Sequence, residues 1–345
     1  LPPSVDDRAD ESVKEGDDRV KQMKHTVTLG LFVAIGALLA TPAQAQFNGS
    51  HTLGDFGVQA GTQPAPGFYA SAFYYRYSAD TLKDRNGDTI ALSPGSSGSL
   101  GIDAYAPILW YVSQHKVLGA NYGAMAVFPW ANGALEAPVF GLDQKTGTHF
   151  ADVYLRPIDL GWHASKADIT AGFGVYAPTG RYVDGGSENT GKGMWTYEPF
   201  VGATLYLDEK KTFSLATNVY WEFHGTKKDS DIQVGQILTL EGGLGKSYLG
   251  GGLIVGAAYY AQWKVTADSI GKALPLPGGG TAGPGLSNIK HRVFALGPDV
   301  TLPIATKKKL YALVNVRYFW EMGARSKTQG QTLTITATFP IPSVK

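Results

Sequence analysis

Three histidines, His163, His224 and His291, and two serines, Ser214 and Ser247, fall on alternating stretches and carry the side chains a hydrolase would need. A lipid hydrolase requires a Ser nucleophile, a His base and an orienting acid within hydrogen-bond reach. No spacing selects such a triad. Glu222 and His224 share a face two residues apart, but alternation alone brings polar neighbours together. No H-E-x-x-H pattern offers metal ligands, and the chain has no cysteine, which removes thiol nucleophiles and Cys-ligated zinc. The run Gly242–Lys246 has glycines and a lysine but not the spacing of a phosphate-binding loop. The expectation is a protein that is not an enzyme, with no catalytic residue, metal or cofactor.

What remains is a set of polar and charged side chains recurring at every second residue, which must be positioned by strands. Charged residues make up 17% of the 345, below the roughly 25% of soluble proteins, and aromatics 12%. With 30 basic and 29 acidic side chains there is no global charge to recruit nucleic acid. From Gly67 onward the helical period is missing and a period of two replaces it, as in Phe213–His224, Leu310–Glu321 and Thr332–Phe339. The pattern predicts twelve strands near 67–78, 99–113, 116–132, 148–163, 166–178, 193–208, 211–224, 233–249, 251–266, 287–302, 307–323 and 330–341. Membrane strands need about 9–11 residues, and these are long enough. Connections alternate long and short. Long ones are expected near 79–98, 133–147, 179–192, 225–232, 267–286 and 324–329; short ones are expected at Gln114-His115, Ser165, Glu209-Lys210, the Gly250 region and Ile304-Ala305. Such alternation with an even strand count is the pattern of a transmembrane antiparallel up-and-down β-barrel.

The N-terminal part reads differently. Residues 1–22 are charged, lack aromatics and read as an upstream leader outside the native protein. Met23–Ala45 has a positive start, an apolar run and Ala43-Gln44-Ala45, a secretory signal cut after Ala45. Residues 46–66 lack alternation and contain Phe47 and Phe56. They read either as a plug lining a lumen or as a periplasmic tail, ahead of a barrel over 67–345.

In hydrocarbon every backbone polar group must be paired internally, so alternating strands have to close. Closure sends one face to lipid and the other to a lumen. On the lipid face, Trp110, Trp130, Trp195, Trp221, Trp263 and Trp320 form an expected aromatic girdle; Trp162 does not fit this phase. The expected lumen set is Asp103, Asp152, Tyr154, Arg156, Asp168, Glu198, Glu222, His224, Glu241, Tyr260, Lys264, His291, Asp299, Asn315, Arg317 and Glu321, joined by Tyr105, Tyr111 and Tyr176. Acids and bases would pair across a narrow passage. Pro157 and Pro199 stand on the lipid face where ladder bonds could be missing, which would suit a sideways opening.

The stretches Phe150–Pro157, Gly161-Trp162-His163, Gly172–Tyr182, Asn189-Thr190-Gly191, Met194–Glu198, Leu238–Lys246 and Tyr259–Val265 together resemble the outer-membrane channel family named for the meta-pathway of phenol degradation. The resemblance implies a small monomeric barrel in the outer membrane of a Gram-negative bacterium, in contact with membrane lipid and lipopolysaccharide. It implies passive uptake of hydrophobic or aromatic small molecules, and an N-terminal segment, here Gln46–Pro66, that narrows the passage. Barrels of this class finish on an aromatic residue; here Phe339 is followed by Pro340–Lys345. A barrel enzyme acting on lipids and a structural or adhesive barrel remain the alternatives.

Overall fold

A computed structural model describes residues 47–90, 98–137, 142–184, 186, 188–249, 252–272, 274–275, 281–287, 289–306 and 309–341. The leader and signal expected over 1–45 lie outside these residues, as do Gln46, the run 276–280 and the tail 342–345.

Twelve antiparallel strands close into a barrel. We number them β1 (Gly67–Lys83), β2 (Ser99–Val117), β3 (Ala120–Val127 and Trp130–Ala137), β4 (Leu142–Phe150 and Val153–His163), β5 (Ala167–Ala177), β6 (Thr196–Tyr206), β7 (Phe213–His224), β8 (Ile237–Tyr248), β9 (Leu253–Lys264), β10 (Arg292–Ala305), β11 (Leu310–Arg325) and β12 (Lys327–Ile341). Neighbours in sequence are neighbours in space. Closure is made by β1 against β12, in register from Phe68↔Ile341 to Lys83↔Lys327, with one slip between Ala79 and Thr81. No strand edge is left along the seam, which is the condition for standing in lipid.

The alternation explains both faces. On β7 the even positions Ser214, Ala216, Asn218, Tyr220, Glu222 and His224 are buried, whereas Phe213, Leu215, Trp221 and Phe223 are exposed. On β8 the order is Ile237, Thr239 and Glu241 inward against Leu244 and Tyr248 outward. The exposed face collects Leu155, Ile158, Ile169, Val201, Leu205, Leu215, Leu244, Val255, Leu302 and Val316. A belt of large apolar side chains open to the surroundings from β4 to β11 is the lipid-facing band of a membrane barrel.

One rim carries tight turns. Two of them differ from expectation. The β2–β3 reversal is Leu118-Gly119, both with positive φ (53° and 81°), so Gln114-His115 remain within β2. Two consecutive positive-φ residues match the right-handed twist of a hairpin, and the sequence signal was weak because Leu occupies the first place. The β10–β11 reversal is at Thr306–Lys309, beyond Ile304-Ala305. At the other rim, β11 and β12 meet at Ser326 alone (φ 48°), so the long loop expected over 324–329 is a tight turn. Loop 133–147 is likewise mostly strand, because β3 and β4 project as a hairpin to Ala137 and Leu142. Above β8 and β9 a small sheet joins Ile232–Gln233, Asp268–Ile270 and Gly285–Ser287.

β4 contains an irregularity with consequences for phase. Its register with β5 shifts between Leu155 and Ile158, and β3 shifts opposite it between Gly123 and Met125. A bulge inserts one extra residue and exchanges the faces beyond it. Tyr154 and Arg156 point inward before the bulge; Asp159 and Gly161 do so after it. This explains Trp162, which lies on the outer face and donates to the Leu118 carbonyl at the tight-turn rim. Pro157 sits in the bulge itself and Pro199 pairs with Phe173 on the outer face.

Candidate functional site

Residues 47–66 lie inside the barrel. They have no strand structure and are fixed by the wall. The chain rises from Pro66, at the tight-turn rim where β1 begins, to Phe47, whose carbonyl accepts from Lys264 Nζ at 2.7 Å near the far end of β9.

Three wall carboxylates hold the backbone of this segment. Glu222 Oε1 accepts from Ser50 N (2.6 Å) and His51 N (3.0 Å). Glu241 accepts from Gly54 N at Oε1 (2.6 Å) and from Phe56 N at Oε2 (3.0 Å). Asp299 Oδ2 accepts from Val58 N (2.9 Å). The wall also donates. Asn218 Nδ2 reaches the Ala60 carbonyl (2.7 Å) and an Arg317 amino group reaches the Asp55 carbonyl (2.7 Å). Bonds to an ionised partner are worth about 1.5–3 kcal/mol each when buried, so five such amide bonds make a firm but non-covalent hold.

The side chains of the segment fill what space remains. His51 Nδ1 is 2.8 Å from Glu198 Oε2, and Nε2 is 3.4 Å from Glu241 Oε1. Its ring lies 4.4 Å from that of Tyr220. Phe56 stacks on Tyr220, and the Arg156 guanidinium lies over the rings of Phe56 (5.4 Å) and Phe200 (4.3 Å). Gly61 passes so close to β6 that an added Cβ would stand 2.2 Å from the Ala203 carbonyl carbon. Gln63 donates to the Asp159 carbonyl at 2.9 Å.

Most residues expected in the lumen are buried there: Asp152, Tyr154, Arg156, Asp168, Glu198, Glu222, His224, Glu241, Tyr260, Lys264, His291, Asp299, Asn315 and Glu321. Arg317, inward of the same face of β11, bonds Asp299 at 3.2 Å. They do not form one group. Asp168 stands at the tight-turn rim with His163 (3.1 Å) and the Tyr206 hydroxyl. Tyr260 and Tyr77 donate to Glu321 near β12. Lys264 pairs with Asp268 (2.7 Å) under the loops.

β2 requires a correction. Asp103 faces outward, where it pairs with Arg76 at 3.2 Å and accepts from the Tyr74 hydroxyl. Tyr105 and Tyr111 are exposed on the same outer face. Trp110 faces inward, and its indole N–H donates to Asp159 (3.0 Å), so it leaves the expected girdle. The physical reason is that β2 has large residues on both faces, and a phase error of one residue turns every side chain over. Trp130, Trp195, Trp221 and Trp320 are exposed, and Trp263 stands edge-on to Phe294 on the outer face.

Sequence reasoning missed His51, Asp159, Gln63, Asn218 and Tyr220. The first and third belong to a segment without period. Asp159 was hidden by the bulge, and Asn218 and Tyr220 share the inward phase of Glu222. It also missed the lysines of the long-loop rim. Lys192, between β5 and β6, is half-buried. Lys227, between β7 and β8, donates to the Lys192 carbonyl at 2.6 Å and lies 5.4 Å from the Tyr182 ring. Burial, reinforced by the Lys192 charge, lowers the Lys227 ammonium to about 7. Burial likewise depresses Lys192, with Asp152 opposing.

Among the described residues nothing resembles a hydrolytic triad. Ser214 Oγ donates to the Val58 carbonyl, and among the described residues no serine hydroxyl bonds a histidine ring. His224 Nε2 is 3.4 Å from Glu222 Oε1.

A closed twelve-stranded wall with an apolar outer belt and a polar interior defines an outer-membrane-type β-barrel. The chain belongs to the family described as "Putative MetA-pathway of phenol degradation", whose model matches residues 79–337. Among solved structures it is similar to an outer-membrane channel from Pseudomonas putida F1, with a TM-score of 0.67, 12% identity, and coverage of 85% of this chain and 100% of that one. The transport unit of the autotransporter AIDA-I from Escherichia coli aligns with a TM-score of 0.46 at 10% identity, covering 89% of this chain and 98% of that one. The P. putida toluene transporter TodX aligns at 0.41 and 11%, covering 89% and 94%. The first of these supports the fold; the other two are too distant to bear on it. No curated protein matches the sequence.

Proposed function

We propose that the protein is an outer-membrane channel through which hydrophobic or aromatic small molecules diffuse passively into a Gram-negative cell, and that residues 47–66 act as an internal plug. The observation that carries the reading is a closed membrane wall whose lumen is crossed by a segment held to it by hydrogen bonds, a histidine–carboxylate cluster and ring contacts, without covalent cross-links. A structural or adhesive barrel has no need of a detachable filling. The family model and the fold of the P. putida F1 channel point the same way. In this reading the protein is not an enzyme. It is exported by a cleaved signal over 23–45, stands in the outer membrane as a monomer among lipid and lipopolysaccharide, and turns its short-turn rim to the periplasm. The inward residues named above line the pore, and the outward tryptophans other than Trp162, which stands at the tight-turn rim, mark the outer interface.

The test is a reversible lock. An added Cβ at Gly245 lies 2.4 Å from Val58 Cγ1, which brings the two Cβ atoms into disulfide range. The native chain has no cysteine to interfere. Val58→Cys with Gly245→Cys, oxidised in liposomes, should suppress uptake of an aromatic solute and regain it on reduction. Uptake that ignores the oxidation state would overturn the plug; no uptake by the native protein would overturn the channel.

A further inference from the structure

At the long-loop rim, a pocket of about 310 Å³ opens between the β5–β6 and β7–β8 loops, lined among others by Pro178, Tyr182, Met194, Trp195, Thr226 and Lys228. That volume is at the lower end of small-ligand sites, enough for one substituted benzene ring. The pocket has an aromatic and apolar side, made by Pro178, Tyr182, Met194 and Trp195, and a polar side that includes Thr226 and Lys228. We propose that this pocket is an entry site for small aromatic carboxylates, the ring lying against Tyr182, Trp195 and Met194 and the carboxylate meeting the Lys228 ammonium. The inference rests on the channel reading, since it names the solute class that the channel would admit.

The charge arrangement favours an anion over a neutral ring. Lys228 is exposed, and its nearest acid, Asp229, stands 4.0 Å away and is itself exposed, a loose contact that a bound carboxylate can replace. Behind Tyr182, the Lys227 ammonium donates to the Lys192 carbonyl, with Asp152, Asp184 and Asp268 facing it. Of the acids facing Lys227, Asp152 already accepts from the Gly180 and Lys192 backbone N–H groups. Further in, His224 Nδ1 and His291 Nε2 are buried without a hydrogen-bond partner among the described residues. A purely hydrophobic solute would use the aromatic side alone and leave the Lys228 ammonium without a counter-charge from the ligand. An aromatic carboxylate uses both halves: ring on aromatic wall, charge on ammonium.

The pocket can be tested apart from transport. Benzoate and benzyl alcohol share the ring and differ in charge. Calorimetric titration of the full-length protein in detergent should show benzoate binding about tenfold more tightly, a difference of about 1.4 kcal/mol. Lys228→Gln combined with Lys227→Met should abolish that preference while leaving benzyl alcohol affinity within about twofold. Lys228→Gln alone, at an exposed position, guards against misfolding and should remove part of the preference. Equal affinity for both probes, binding of neither, or a preference that survives both variants would overturn the inference. If benzoate fails to bind while liposomes still take up aromatic solute, the pocket assignment falls and the channel stands. If benzoate binds but no solute crosses, the channel falls and the pocket remains a binding site.

Discussion

At the residue scale, the lumen is organised by acids that were placed by alternation and given a purpose by a segment with no alternation at all. Glu222, Glu241 and Asp299 were legible as inward residues from their phase on β7, β8 and β10. That each would accept backbone N–H groups of residues 50–58 was not legible, because an irregular segment carries no period from which to read its neighbours. The contacts make separate demands on the two partners. Glu241→Gln keeps one acceptor and loses the charge, so the hold on Gly54 and Phe56 should weaken by about 1–3 kcal/mol. Hydrogen exchange should accelerate at those two amides, with the strand amides of β8 unchanged. Gly61→Val attacks from the other side. Its Cβ would collide with the Ala203 backbone, which cannot move without breaking β6. The variant should retain heat-modifiable gel mobility and show a larger bilayer conductance than the native protein. An unchanged conductance would mean that the segment does not obstruct flow.

At the element scale, most of the twelve strands were readable because one face is lipid and the other is not. Where both faces carry large residues, as on β2, the period lost its sign, and Asp103, Tyr105, Tyr111 and Trp110 were turned over together. Where a bulge intervenes, as at Pro157, the phase is right on one side and inverted on the other. The robust strands offer a direct check. Spin labels at Leu215 and Val316, both on the outer face, should be relaxed by oxygen and shielded from a water-soluble nickel chelate. The loops are a different kind of element, since they bury an ammonium whose charge burial opposes. Lys227 faces Lys192, Asp184 and Tyr182 from the β5–β6 loop, Asp152 from β4 and Asp268 from the β9–β10 loop. Its ammonium falls from an ordinary 10.5 to about 7 in the closed arrangement. An opened loop therefore binds a proton that the closed one lacks between these values, and closure weakens as pH falls through that window and levels off below it. Hydrogen exchange at Lys228 N, bonded to the Gly193 carbonyl, and Gly225 N, bonded to the Trp195 carbonyl, should show this after correction for the intrinsic rate. Protection that grows as pH is lowered from 10 to 7 would contradict it.

At the scale of the whole molecule, the filled lumen implies a direction. The stretch from Pro66 to Phe47 begins where β1 begins, on the side of the tight turns, and finishes among Lys264 and the loops opposite. In the proposed membrane setting its two ends would belong to different compartments, although no helix or strand carries the backbone from one to the other. An epitope spliced ahead of Phe47 in the folded protein would be stained on intact cells, and would vanish from view in any state that withdraws the thread inward. The same short peptide would thus report, from outside and without a transported solute, whether the bore is stoppered.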